Sequence, residues 1–342
     1  MSSVTSMNNM FYDATGFNVD ISKWNVGHVT SMYGTFQNAE SFNQDLSGWN
    51  VGKVTDMGGM FWHAMSFNAD LSAWDVSRVQ YMNEMFEGAM SFKADLSKWN
   101  VGSVVSMGGM FWGATSFNTE DLSAWDVSSV TNMGSMFLEA TSFNGDLSKL
   151  DVSSVMDMRM MFNGATSFKA DLSKWDVGSV TDMSYMLQGA TSFTSDLSKW
   201  NVGSVTDMYW MFGGATDFSS DLSAWNVGRV TDMYNMFQDA VVFNADLSAW
   251  DVGSVTDMIG MFDGAFGFDH KNAPWYKYWD DDDVWNDGLG AGPIIAIVLG
   301  AICFVLLSCV CAVKLWRRRQ SAKSGIDSKR LLAHSEGFPR FV

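Results

Sequence analysis

Cysteine is absent from the first 302 residues; the three in the chain, Cys303, Cys309 and Cys311, share one late apolar run. Everything before that run therefore has no disulfide framework and must hold together by packing alone. Basic charge is nearly as scarce there. Residues 1–313 carry 13 Lys and Arg against 36 Asp and Glu, a net charge of −23, whereas Lys314–Val342 holds 8 of the 21 basic residues and 2 of the 38 acidic ones. Such an acidic body repels phosphate backbones, which excludes nucleic acid as its partner. Catalytic constellations are missing too. The four histidines (His28, His63, His270, His334) are scattered, and no Ser/His/Asp, metal-ligand or phosphate-loop spacing occurs. Neither enzymatic chemistry nor a cofactor is expected. Met1–Met10 also lacks the basic and apolar regions of a signal peptide, and Val4 already stands in repeat register. The expectation is a chain that begins inside a longer protein, with its leader upstream.

What the chain does have is one phrase, repeated. Units of 25 residues open at Val4, Val29, Val54, Val79, Val104, Val130, Val155, Val180, Val205 and Val230, and an incomplete eleventh opens at Val255. A period of this size marks a solenoid or another repeat array. Only the fifth unit differs in length: it has an additional residue, Thr119 or Glu120, before Asp121, which marks a loop. Within a unit, Leu71-x-x-Trp74-x-Val76-x-x-Val79 places apolar groups two apart, as on one face of a short strand. Met57-x-x-Met60-Phe61-x-x-Ala64 then places them at i, i+3, i+4 and i+7, the stripe of a two-turn helix. Thr55 or Asp56 is suited to cap its start. A glycine before the alanine in six units (Gly88, Gly113, Gly164, Gly189, Gly214, Gly264) suits a left-handed residue at its end. The Asp before Leu-Ser, Asp20 to Asp246, recurs in all ten full units. It is read as a turn former that accepts nearby backbone N–H groups, with calcium ligation as the competing reading.

The phrase F-N-x-D-L-S-x-W-D/N-V-S/G-x-V-T-D-M-x-x-M-F-x-G-A-x-S-F closely resembles the BspA-like leucine-rich repeats, also catalogued as a domain of unknown function in Mycoplasma surface lipoproteins. The resemblance spans residues 4–268. It implies a right-handed leucine-rich-repeat-like solenoid, with a short parallel strand and a short helix per unit, and a cell-surface protein, in some members an adhesin. Unlike bacterial relatives with lipid or wall anchors, this chain has an apolar C-terminal stretch. Ile294–Val313 is 20 residues without a charge, long enough as a helix to span about 30 Å of bilayer core. Lys314, Arg317, Arg318 and Arg319 follow and place the C-terminus in the cytoplasm.

The domain reading is a repeat solenoid over 4–268, an aromatic and acidic cap and stem over 269–293, a transmembrane helix over 294–313 and a basic tail over 314–342. Candidate function lies where the repeats vary. The residues flanking the Trp column form a patch in units 6–8: Lys149, Lys174 and Lys199 beside Asp151, Asp176 and Asn201. Solenoids commonly bind through such faces; the alternative is a solvated face on which Lys neutralises neighbouring Asp. In the tail, Asp327, Leu331 and Leu332 match the acidic dileucine form of a sorting signal, read by a cytoplasmic adaptor. Cys309 and Cys311 are candidates for palmitoylation near the inner leaflet. The expected function is a non-enzymatic, single-pass surface protein, at the plasma membrane or an endomembrane, that binds an extracellular protein or glycan. A structural coat or wall-tethering spacer and an endomembrane sorting receptor are the alternatives.

Overall fold

The structure, a computed structural model, describes residues 3–119 and 121–276. Those residues wind into eleven stacked coils, one per sequence unit, within one compact unit, Met1–Asp281. The stack is a repeat solenoid, as expected, although its coils are built differently from the expectation. Among the described residues there is no α-helix and no extended strand; the one helical element is a 3-10 turn at His270–Asn272.

The strand is displaced and reduced to a single residue. Parallel bridges run Ser6, Ser31, Asp56, Tyr81, Ser106, Asn132, Asp157, Asp182, Asp207, Asp232, Asp257, one residue in each coil, and one further bridge joins Asp121 to Asp146. The first series occupies the position expected to cap a helix. The expected strand at Leu71–Val79 consists instead of two reverse turns, closed by Trp74 N–H to Leu71 O and Val79 N–H to Val76 O. Leu71, Trp74, Val76 and Val79 are still buried. The alternation correctly reported burial, but turns produced it rather than a ladder.

The expected helix at Met57–Ala64 is a chain of turns, for a hydrogen-bonding reason. The N–H groups of Met60, Trp62 and Ala64 bond back three residues, to Met57, Gly59 and Phe61. Those of Met57, Gly59, Phe61 and His63 leave the coil and bond the carbonyls of Tyr81, Asn83, Met85 and Glu87 in the next one. A left-handed residue at Gly59 (φ +57°) and again at His63 (φ +53°) turns alternate donors outward. An isolated two-turn helix is too short to be stable alone, whereas this arrangement gives each outward donor a partner in the neighbouring coil. The six glycines before the alanine are indeed left-handed. The second left-handed site, four residues earlier, went unforeseen.

Packing between coils is carried by columns. Phe36, Phe61, Phe86, Phe111, Phe137 and Phe162 stack 5.5–5.7 Å apart, until Leu187 interrupts them. A second column, Phe17 to Phe268, runs beside it unbroken. These separations lie in the favourable range for offset aromatic pairs. Nine tryptophans donate Nε1–H to the carbonyl of the Leu or Ile position one coil back, at 2.9–3.2 Å. The ninth is Trp275, stacked 6.2 Å from Trp250. Residues 269–276, where the sequence phrase decays, thus complete the eleventh coil.

The sixth coil has Leu150 in the Trp column, buried but with no side-chain N–H to give the carbonyl of Leu122. Leu150→Trp is expected to stabilise the stack by about 1 kcal/mol, the net worth of one hydrogen bond. A denaturant midpoint that falls rather than rises would show that this coil has no room for the indole.

Candidate functional site

Side-chain oxygens close the turns of every coil. The Asp before Leu-Ser accepts the N–H two residues on in all ten full coils, at 2.7–3.0 Å. This is the turn-forming role read from the sequence. Hydrogen bonds from the following Ser hold several of these carboxyls, among them Asp20, Asp70, Asp171 and Asp246, below the ordinary carboxylate range. The Asp or Asn after the Trp column closes a second turn in the same way in all ten.

That second turn contains half of the sequence-derived patch. Lys149, Lys174, Lys199, Asp151, Asp176 and Asn201 are all exposed, in successive coils. Asp151 accepts from Ser153 N–H and Oγ–H, Asp176 from Gly178 N–H and Asn201 from Gly203 N–H. One oxygen of each is therefore committed to its own backbone. Lys174 and Lys199 act electrostatically on the first-turn carboxyls Asp171 and Asp196, as Lys149 does on Asp121. The patch is contiguous, and the turn role of its acidic half is independent of any ligand. The segment 294–313, the sorting motif at Asp327, Leu331 and Leu332, and Cys309 and Cys311 lie outside the described residues. Among the described residues, no helix is long and apolar enough to cross a membrane.

A second variable surface was hidden by the helix reading. It comprises the two positions after the first methionine, Gly58 and Gly59 in the third coil. In the other coils the first of these is Tyr33, Asn83, Gly108, Gly134, Arg159, Ser184, Tyr209, Tyr234 and Ile259 from coil 2 onward. In the later coils these side chains form a ridge: Tyr185 and Tyr209 lie 4.9 Å apart, and Tyr209 and Tyr234 stack at 5.1 Å. Tyr185 and Trp210 adopt left-handed backbone at φ +57° and +54°, a conformation that is strained for such large residues. Burial, with help from Tyr209 and nearby carboxylates, pushes the Tyr185 hydroxyl up to about 12. The bridge carboxylates run alongside. Arg159 pairs bidentately with Asp157 (3.0 and 2.7 Å) and reaches Asp182 at 3.5 Å. Further along, burial and like-charged neighbours push Asp207 and Asp232 upward.

In coils 5 and 6 the row of side chains is interrupted, as it is in coil 3 at Gly58 and Gly59. Gly108, Gly109 and Gly134 carry no side chain where other coils carry Tyr, Arg or Trp, and a cavity of about 270 Å³ opens there. Asn83, Glu84, Trp112, Asn132, Asp157 and Arg159 border it. Asn132 Oδ1 is taken by the N–H of Gly134 at 2.8 Å. Asn83 Oδ1 is buried and has no hydrogen-bond partner. Trp112 is 38 % exposed. The only signal for this surface in the sequence was variation itself, at two positions that change from coil to coil while their neighbours stay fixed.

The neighbouring buried acid is Glu87, 8 % exposed. Burial, reinforced by Glu84 and opposed by a hydrogen bond with Trp62, pushes its carboxyl from the usual 4.5 to about 7. His63 lies 4.0 Å away, and burial lowers its own affinity for a proton. Both groups are driven toward their neutral forms, so their approach is not an ion pair.

The coil geometry defines a repeat solenoid, one coil per sequence unit. The model of the family described as "Mycoplasma protein of unknown function, DUF285" matches residues 1–90, 48–123, 68–175, 116–223 and 165–275, and the chain belongs to that family. No curated protein matches. Among solved structures, a leucine-rich repeat protein from Bacteroides ovatus is 14 % identical, over 75 % of this chain and 80 % of that one, with a TM-score of 0.32. The TLR13–ssRNA13 complex is 10 % identical over 71 % of this chain and 45 % of that chain, with a TM-score of 0.21. The functional domain of InlJ from Listeria monocytogenes is 12 % identical over 73 % and 59 %, with a TM-score of 0.20.

Proposed function

We propose that this chain is a single-pass surface protein whose repeat stack recognises an extracellular protein or glycan, without catalysis. One observation carries the recognition reading. The side chains that recur in every coil are buried or close turns, while the residues on either side of the Trp column, which vary, stand exposed in a row along the stack. Binding surfaces of solenoids have this division. The anchor is the uncharged run Ile294–Val313, and the basic cluster from Lys314 onward sets its orientation. Asp327, Leu331 and Leu332 favour a second reading, a sorting receptor that cycles through endomembranes.

Surface labelling of intact cells tests both. With a tag ahead of Val4 and another after Val342, the first is expected to be labelled and the second protected. Protection of both tags together with internal retention would sink the surface reading. If labelling of the first tag rises after Leu331→Ala and Leu332→Ala, the sorting signal operates. A screen of the full chain in detergent against cell-surface proteins and glycans tests recognition; no partner in either class would leave the spacer reading.

A further inference from the structure

We propose that the cavity opened by Gly108, Gly109 and Gly134 is a binding site for a neutral polysaccharide chain. This rests on the reading of the stack as a recognition surface and assigns it a site and a ligand chemistry. The first argument is positional. Coils 2, 9 and 10 hold Tyr33, Tyr209 and Tyr234 at the place of Gly108, so the scaffold accepts a large side chain there; the neighbouring coils 5 and 6 both leave it out, whereas coil 3, with Gly58, does so alone. The missing side chains are replaced by open space of about 270 Å³.

The second argument is chemical. Hydrogen-bonding side chains, Asn83 and Asn132 among them, border the opening, which suits a ligand with hydroxyls. The Trp112 indole stands exposed at the same opening, a flat apolar surface suited to the C–H face of a sugar ring. Charge excludes the alternatives. An anion would meet Glu84 and Asp157 in a body already strongly acidic. A cation would find its place taken, because Arg159 already pairs with Asp157 and reaches Asp182. What remains is an uncharged ligand rich in hydroxyls.

The third argument is extent. The lining residues come from four successive coils, Asn83 in the fourth to Arg159 in the seventh. At the spacing of neighbouring parallel segments those coils span on the order of 14 Å, room for more than one sugar unit.

The test is calorimetric titration of the full chain in detergent with dextran, mannan, xylan and chitohexaose. At least one is expected to bind wild type and to lose about tenfold or more in affinity with Trp112→Ala and with Gly108→Tyr. Gly108→Tyr installs the side chain that other coils carry; a Cβ there lies 3.3 Å from Asn132 Oδ1 and 3.5 Å from Gly134 O, so small adjustments accommodate it. Trp112→Ala changes an exposed side chain and keeps the test decisive if the tyrosine variant folds poorly. The triple change of Lys149, Lys174 and Lys199 to Glu is expected to leave this binding intact. Wild-type affinity in both cavity variants, loss only in the triple variant, or no binding of any of the four polysaccharides would overturn the site. A protein partner found in the separate screen would still uphold recognition, so the two failures are distinguishable.

Discussion

Phe137→Ala is expected to destabilise the stack by about 3–5 kcal/mol, the range for removing a fully buried aromatic. Phe137 has no exposed surface; it stacks 5.6 Å from both Phe111 and Phe162 and 3.9 Å from Phe143. No single coil has a core of its own, so the ring is shared by three coils, and the cavity left by alanine belongs to two interfaces at once. Repeat arrays derive their cohesion from such nearest-neighbour interfaces. Denaturant unfolding should therefore show both a lower midpoint and a break of one transition into two, as the coils on either side part company. Leu187 occupies the same column naturally, so Phe137→Leu should cost far less, about 1 kcal/mol. A loss below that for the alanine variant would mean that the column is loosely packed.

Glu87→Gln is expected to stabilise the protein at pH 9 by on the order of 3 kcal/mol and to have no effect below about pH 4.5. The sign follows from linkage. Burial raises the folded-state carboxyl to about 7 from the usual 4.5, so the proton is held more tightly in the folded protein. Its contribution is full below pH 4.5, falls as pH rises through 7, and leaves an ionised carboxylate in a dry site above that. Glutamine retains an acceptor for Trp62 and never ionises. His63 and Glu84 titrate beside it in both proteins, and His63, lowered by burial, contributes in the opposite sense. Subtracting the two stability–pH curves therefore leaves Glu87 together with its coupling to Glu84. A flat difference curve would show that the carboxyl is solvated.

The architecture was legible because burial recurs with the unit. Trp74, Val76, Met57 and Phe61 were read as core, and all are buried; the Asp before Leu-Ser was read as a turn former, and it is one in every full coil. The secondary structure was not legible, because i, i+3, i+4, i+7 spacing does not distinguish a helix from turns that reverse every fourth residue. The discriminating fact is where the N–H groups of Gly59 and His63 point, and that depends on the coil above. The same misreading concealed the second variable surface. Gly58 and Gly59 fall between the apolar positions of the expected helix, and the place of Gly58 is the one at which Tyr209 and Tyr234 stack in later coils. Asn83 Oδ1 left without a donor is a property of the folded coils and has no counterpart in composition or spacing.

The hydrogen bonds between coils run along the stack, from Phe61 to Met85, Phe86 to Met110 and onward. Tension applied between the two ends therefore loads every rung in series, not side by side, and each coil can peel away without disturbing the one beyond its neighbour. A freed 25-residue coil pays out about 80–90 Å of chain. A stack tethered at one end and held at the other would thus behave as a spool, lengthening in nearly equal steps and keeping the coils that have not yet peeled intact.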